Sequence, residues 1–89
     1  GFKINPSSSD RIVKEGVDGL SFNVMSVTSW TATTTDDWIT ITNGSGNGGT
    51  TEECIFNVAE NNTGSLRAAD IKVSNGSSTL TFTVFQKGS

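Results

Sequence analysis

Apolar residues recur at every second position in short runs, and each run ends at a cluster of Gly, Asn or Ser. No other feature constrains the fold as strongly. Leu20, Phe22 and Val24 share one phase, with Ser21 and Asn23 opposite. Ile39 and Ile41 alternate with Thr40 and Thr42, and Cys54, Phe56 and Val58 with Ile55 and Asn57. Ala69, Ile71 and Val73 alternate with Asp70 and Lys72, and Leu80, Phe82 and Val84 with Thr81 and Thr83. Successive strand side chains point to opposite faces, so each run has one dry face and one wet face. That pattern belongs to antiparallel sheets buried on one side.

The punctuation falls where hairpins and crossovers need it. Gly16 and Gly19 bracket a turn, residues 43–49 form a long glycine-rich loop, and Asn61-Asn62-Thr63-Gly64 form another turn. Asn75-Gly76 predicts a two-residue hairpin, since both residues tolerate positive φ. Pro6 fits a bend after a short first strand. Strands are expected near 2–5, 10–14, 20–26, 29–34, 38–42, 52–59, 67–74 and 78–86. About seven to eight short strands at this spacing predict an all-β, immunoglobulin-like antiparallel β-sandwich. No window has a helical period, and no repeat or linker divides residues 1–89.

Composition narrows the function. The 89 residues include 13 Thr, 12 Ser, 10 Gly and 8 Asn, against 33% hydrophobic residues and a net charge of −3. Low, mildly acidic charge excludes a basic nucleic-acid binder. The absence of His removes the commonest general base and the usual zinc or copper ligand. The single Cys54 can close no internal disulfide and reads as a small buried hydrophobe. Catalysis would fall to carboxylates, Lys and hydroxyls, so the chain reads as a non-enzyme without cofactor or metal. No apolar run approaches the ~20 residues of a membrane-spanning helix, so no direct membrane insertion is expected. Gly1-Phe2-Lys3-Ile4 has no apolar leader, and the chain reads as a module excised from a longer protein.

Several residues together resemble a known family. In order they are Trp30, Trp38, Ser45-Gly46, Asn61, Arg67 with Ala69, and Gln86-Lys87-Gly88. This ordered set, spread over nearly the whole chain, resembles the BACON domain (Bacteroidetes-associated carbohydrate-binding often N-terminal). The resemblance implies an immunoglobulin-like module of an exported, cell-surface or periplasmic bacterial protein. It also implies host or dietary glycans, mucin glycans among them, as ligands, and neighbouring domains of the parent protein as partners. A structural spacer or a protein-interaction module is the alternative function.

Trp38 is the leading candidate for a glycan contact. It is out of phase with Ile39 and Ile41 and so points outward or sits at the sandwich rim. Asp36, Asp37, Asn43 and Asn47 could supply hydrogen bonds to sugar hydroxyls beside it. The structural alternative is that Trp38 folds over the sandwich end. Trp30 reads as a core plug, because a chain this poor in large apolar side chains can hardly spare an indole. The pairs Asp36-Asp37 and Glu52-Glu53 admit general acid/base or calcium readings, and also the plainer one of solvated turn charges. Arg67 and Gln86 read as structural, with the Gln86 amide satisfying buried backbone groups.

Overall fold

A computed structural model describes residues 1–89 and contains nine strands and no helix. They are β1 (Lys3–Asn5), β2 (Ser8–Ile12), β3 (Val17–Met25), β4 (Trp30–Thr33) and β5 (Ile39–Asn43). β6 (Ser45–Gly46), β7 (Thr51–Val58), β8 (Arg67–Ser74) and β9 (Thr79–Gln86) follow. They form two sheets, in the orders β1-β3-β7-β5 and β2-β9-β8-β4-β6.

The alternation decides what lies between the sheets. Phe22 and Val24 of β3, Cys54, Phe56 and Val58 of β7, and Ile71, Val73, Phe82 and Val84 of β8 and β9 are all buried. Their neighbours along each strand are less buried or exposed. Phe22 stacks on Phe82 with ring centroids 4.2 Å apart, and Phe56 meets Phe82 edge-on at 5.8 Å. Such a cluster lets few aromatics fill much of the core, since each large ring buries ~150–250 Å².

Three details differ from the sequence expectation. β2 runs parallel to β9, with Ser8 opposite Thr83 and Ile12 opposite Gln86. The chain pairs with β3 up to Asn5, crosses to the other sheet at Pro6, and keeps its direction there, so one antiparallel pairing is replaced by a parallel one. The strand count is nine because the glycine-rich loop contains β6. The register with β7 shifts after Ile41, pairing ends with Asn43 opposite Ile55, and Ser45 then pairs with Thr31 of the opposite sheet. Finally, the β8–β9 connection spans residues 75–78 rather than two residues, with Ser74 paired to Thr79. The Asn75 carboxamide oxygen accepts the N–H groups of Ser77 and Ser78, at 3.0 and 2.8 Å, and closes this longer turn.

The sandwich measures 41 × 20 × 19 Å. Its long axis runs along the strands. One pole, here the glycine-rich pole, holds Gly1, the 44–51 segment and the 75–78 turn. The other, the C-terminal pole, holds residues 13–16, 59–66 and the chain after Gln86.

Candidate functional site

At the C-terminal pole the side chains close over the core. Trp38 immediately precedes β5 and is half-buried, packed against the core cluster. The Arg67 guanidinium carbon lies 4.1 Å from the centroid of its ring. Arg67 Nε donates to Gln86 Oε1 at 2.9 Å, and its Nη2 donates to the Glu60 carbonyl at 3.1 Å. Gln86 is fully buried, and its Nε2 faces the carbonyls of Val13, Lys14 and Ala59 at 3.2, 3.2 and 2.8 Å. Asn61, also fully buried, donates from Nδ2 to Ser65 and Lys87 carbonyls and accepts at Oδ1 from Thr63. These amides satisfy backbone groups that the strand ladders leave unpaired where strands end.

Asp36 and Asp37 lie in the turn before Trp38. The Asp36 N–H donates to Thr34 Oγ1 at 3.3 Å, its carbonyl accepts the Ile39 N–H at 3.3 Å, and Asp37 is exposed. The turn is held by backbone groups and the Thr34 hydroxyl, leaving both carboxylates without a hydrogen-bonding role in it.

At the glycine-rich pole the focus is Glu52. It is in phase with Cys54 and therefore turns towards the core side, where its Oε1 accepts the Trp30 Nε1–H at 3.0 Å. The same carboxylate accepts the N–H groups of Gly48 and Asn47, at 2.9 and 3.2 Å. These donors, with Trp30 the strongest, hold the Glu52 carboxyl below its ordinary pKa of 4.5. Gly46 is required here, since a Cβ would run into Trp30 Nε1 and Glu52. Trp30 itself is 1% exposed, so its only polar atom is spent on Glu52. Glu53 points the other way, as the next residue in a strand must, and accepts from Ser21 Oγ at 2.9 Å. The Glu52-Glu53 pair therefore does not converge.

An open, mostly polar groove of about 920 Å³ surrounds this pole, lined among others by Asn43, Asn47, Glu52, Glu53 and Asn75. Asn43 Nδ2 donates to the Glu53 carbonyl at 2.7 Å. Trp30 is the one aromatic residue lining the groove, and it is almost fully buried.

The five candidate contact residues thus fall into two groups. Trp38, Asp36 and Asp37 share the C-terminal pole, whereas Asn43 and Asn47 belong to the groove with Trp30. Five residues of extended chain, about 16 Å, separate Trp38 from Asn43, and Asn47 lies further on. No group of three or more His, Cys, Asp or Glu side chains comes together as a metal site. Sequence reasoning treated Glu52 only as half of an acidic pair, because its partner Trp30 is 22 residues away. The in-phase position with Cys54 was the one available signal.

The residues of the ordered family pattern have mainly architectural roles. Trp30 and Ala69 are buried, Gly46 makes room for Trp30, and Asn61 and Gln86 tie the C-terminal pole. Gly88 passes so close to the Ser65 backbone that a Cβ would collide with it.

Comparison with known proteins follows the same lines. No curated protein sequence matches the chain. Among solved structures, a Bacteroides ovatus GH5 xyloglucanase in complex with a XXXG heptasaccharide superposes with a TM-score of 0.82 at 18% identity. The match covers 98% of this chain but 19% of the xyloglucanase, so the chain spans about a fifth of that protein's length. WR4, a C. elegans MSP family member, superposes with a TM-score of 0.60 at 8% identity, covering 99% of this chain and 97% of its own. At these identities the likeness is one of fold, an immunoglobulin-like sandwich. The family model BACON, "Putative binding domain, N-terminal", matches residues 28–87. The chain belongs to the BACON family.

Proposed function

We propose that this BACON domain is a non-catalytic module that acts as a rigid spacer within a longer exported protein at the bacterial cell surface or in the periplasm. The observation that carries the reading is the withdrawal of both indoles. Trp30 is 1% exposed and bonded to Glu52, and Trp38 is half-buried beneath Arg67. A sugar ring needs an open aromatic face with polar groups around it, and neither indole offers one. The path of the chain adds support. β1 starts at the glycine-rich pole and β9 ends at the C-terminal pole, so a chain threaded through the domain advances along its 41 Å axis. Neighbouring domains of the same protein are then the partners.

The test is a fusion with donor and acceptor fluorophores on either side of the domain. A single separation set by the long axis, unchanged by added glycans, is expected. A broad distribution like that of a flexible Gly/Ser linker would overturn the spacer reading.

A second reading, glycan binding, is favoured by the polar groove at the glycine-rich pole, where Asn43, Asn47 and Asn75 present carboxamides. Isothermal titration with xyloglucan oligosaccharides and mucin-type glycans separates the two. Binding weakened by Asn47→Ala and untouched by Trp38→Ala places the ligand in the groove. Binding lost with Trp38→Ala, in a folded variant, places it at the other pole, and no heat at millimolar ligand leaves the spacer alone.

A further inference from the structure

Three Asn-Gly pairs occur in the chain, at 43–44, 47–48 and 75–76. In such a pair the glycine nitrogen can attack the preceding side-chain amide carbon, because no side chain on the glycine shields it. The fold treats the three pairs differently. Asn43 ends β5 opposite Ile55, and its Nδ2 is bound to the Glu53 carbonyl. Asn75 is held through Oδ1 by the N–H groups of Ser77 and Ser78. Asn47 is exposed and lies outside every strand; Glu52 holds its backbone N–H and that of Gly48, at 3.2 and 2.9 Å, so what sets this pair apart is the side chain. Its carboxamide makes no hydrogen bond.

The geometry points to Asn47 as a site of spontaneous, irreversible deamidation, in which the substrate is the chain's own carboxamide and water is the co-reactant. A bond forms between Gly48 N and Asn47 Cγ, and the bond from Cγ to Nδ2 breaks. The Gly48 proton, released from its bond to Glu52 Oε1, passes through water to the departing nitrogen, which leaves as ammonia. Water then opens the succinimide at either carbonyl, giving Asp or isoaspartate at position 47. No oxidation or reduction is involved.

The position makes the change consequential. Glu52 uses its two carboxylate oxygens to hold the N–H groups of residues 47 and 48 together with Trp30 Nε1. A new carboxylate at position 47 stands beside that carboxylate and repels it. The isoaspartyl product also inserts a methylene into the backbone between the two N–H groups. Glu52 then cannot hold both in the present geometry, and its hold on Trp30 loosens. The reaction is therefore an ageing switch confined to the glycine-rich pole.

Peptide mapping of the intact folded domain, stored in mildly alkaline buffer, tests this directly. The expected result is conversion at Asn47 several-fold faster than at Asn43 or Asn75. In denaturant the three rates should converge, since all three are Asn-Gly. Asn47→Gln should abolish the slow drift in Trp30 emission that accompanies conversion. Equal or faster conversion at Asn43 or Asn75 in the folded domain would overturn the proposal. So would a lead for Asn47 that persists unchanged in denaturant, or a drift that survives Asn47→Gln.

Discussion

The guanidinium of Arg67 lies over the indole of Trp38, 4.1 Å from its centroid, while its Nε is bound to the buried Gln86. One side chain thus covers the tryptophan and fixes the amide that closes the C-terminal pole. A cation over an aromatic face contributes about 0.5–2 kcal/mol, and a hydrogen bond to a neutral partner about 1 kcal/mol. Arg67→Ala should therefore cost about 2 kcal/mol in denaturant unfolding. It should also raise acrylamide quenching and red-shift the emission of Trp38, which Trp38→Phe would identify. Unchanged quenching in Arg67→Ala would mean that the guanidinium does not shield the ring.

Gln86 is the more expensive residue to change. Its Nε2 serves three carbonyls and its Oε1 accepts from Arg67, all within a fully buried site. Gln86→Leu keeps much of the volume but orphans the Arg67 Nε–H and leaves the Val13, Lys14 and Ala59 carbonyls with only their bonds from Gly16, Asn61 and Arg67, at about 1–3 kcal/mol per orphaned group. A loss of about 3 kcal/mol is expected, and a Tm drop of roughly 10–20 °C for a domain of this size. A calorimetric drop of only a degree or two would show that water replaces the amide.

Glu52 gives the fold a pH dependence of definite sign. Its folded pKa lies below the ordinary 4.5, so its contribution to stability is fully present above that value. The contribution is lost as pH falls through the folded pKa, because only the carboxylate accepts from Trp30, Gly48 and Asn47 together. Glu52→Gln should be less stable than the native domain at neutral pH, with the gap narrowing as the pH falls below 4.5 and through the lowered folded pKa. Urea midpoints against pH would reveal it, and a gap that widens on acidification would contradict the assignment.

Gly46→Ala probes the same pole by sterics. A Cβ there meets both Trp30 Nε1 and Glu52, so their hydrogen bond must yield. Overpacking of this kind costs about 1–3 kcal/mol. Thermal unfolding should show the loss together with a changed Trp30 emission, and an unaltered spectrum would place the strain elsewhere.

Cys54 is fully buried, and burial pushes its thiol up to about 12. In the folded domain it should be inert to a disulfide reagent at neutral pH, reacting only as fast as the domain opens. Rapid labelling that leaves the fold intact would show a local opening of β7.

The family pattern identifies the architecture rather than a ligand site. Trp30, Asn61 and Gln86 are buried, and Gly46 and Gly88 stand where other backbone or side-chain atoms leave no room for a Cβ. An ordered set of such residues marks a sandwich of this design, whatever its surface meets.

The sequence by itself determined which side chains face inward. Phe22, Val24, Phe56, Ile71, Val73, Phe82 and Val84 are buried because a strand's period of two is local and survives any choice of partner. It also marked Trp30 as core, from the scarcity of large apolar residues. Apart from the β8–β9 hairpin that Asn75-Gly76 marks, tertiary structure alone decided which strands meet. The parallel β2–β9 pair and the passage of 43–46 between sheets depend on contacts across the whole chain. For the same reason Trp38 and Asn47, nine positions apart, belong to opposite poles, while Trp30 and Glu52, 22 apart, share a hydrogen bond. Alternation fixes the face of a residue, and only the packing of two sheets fixes its neighbours.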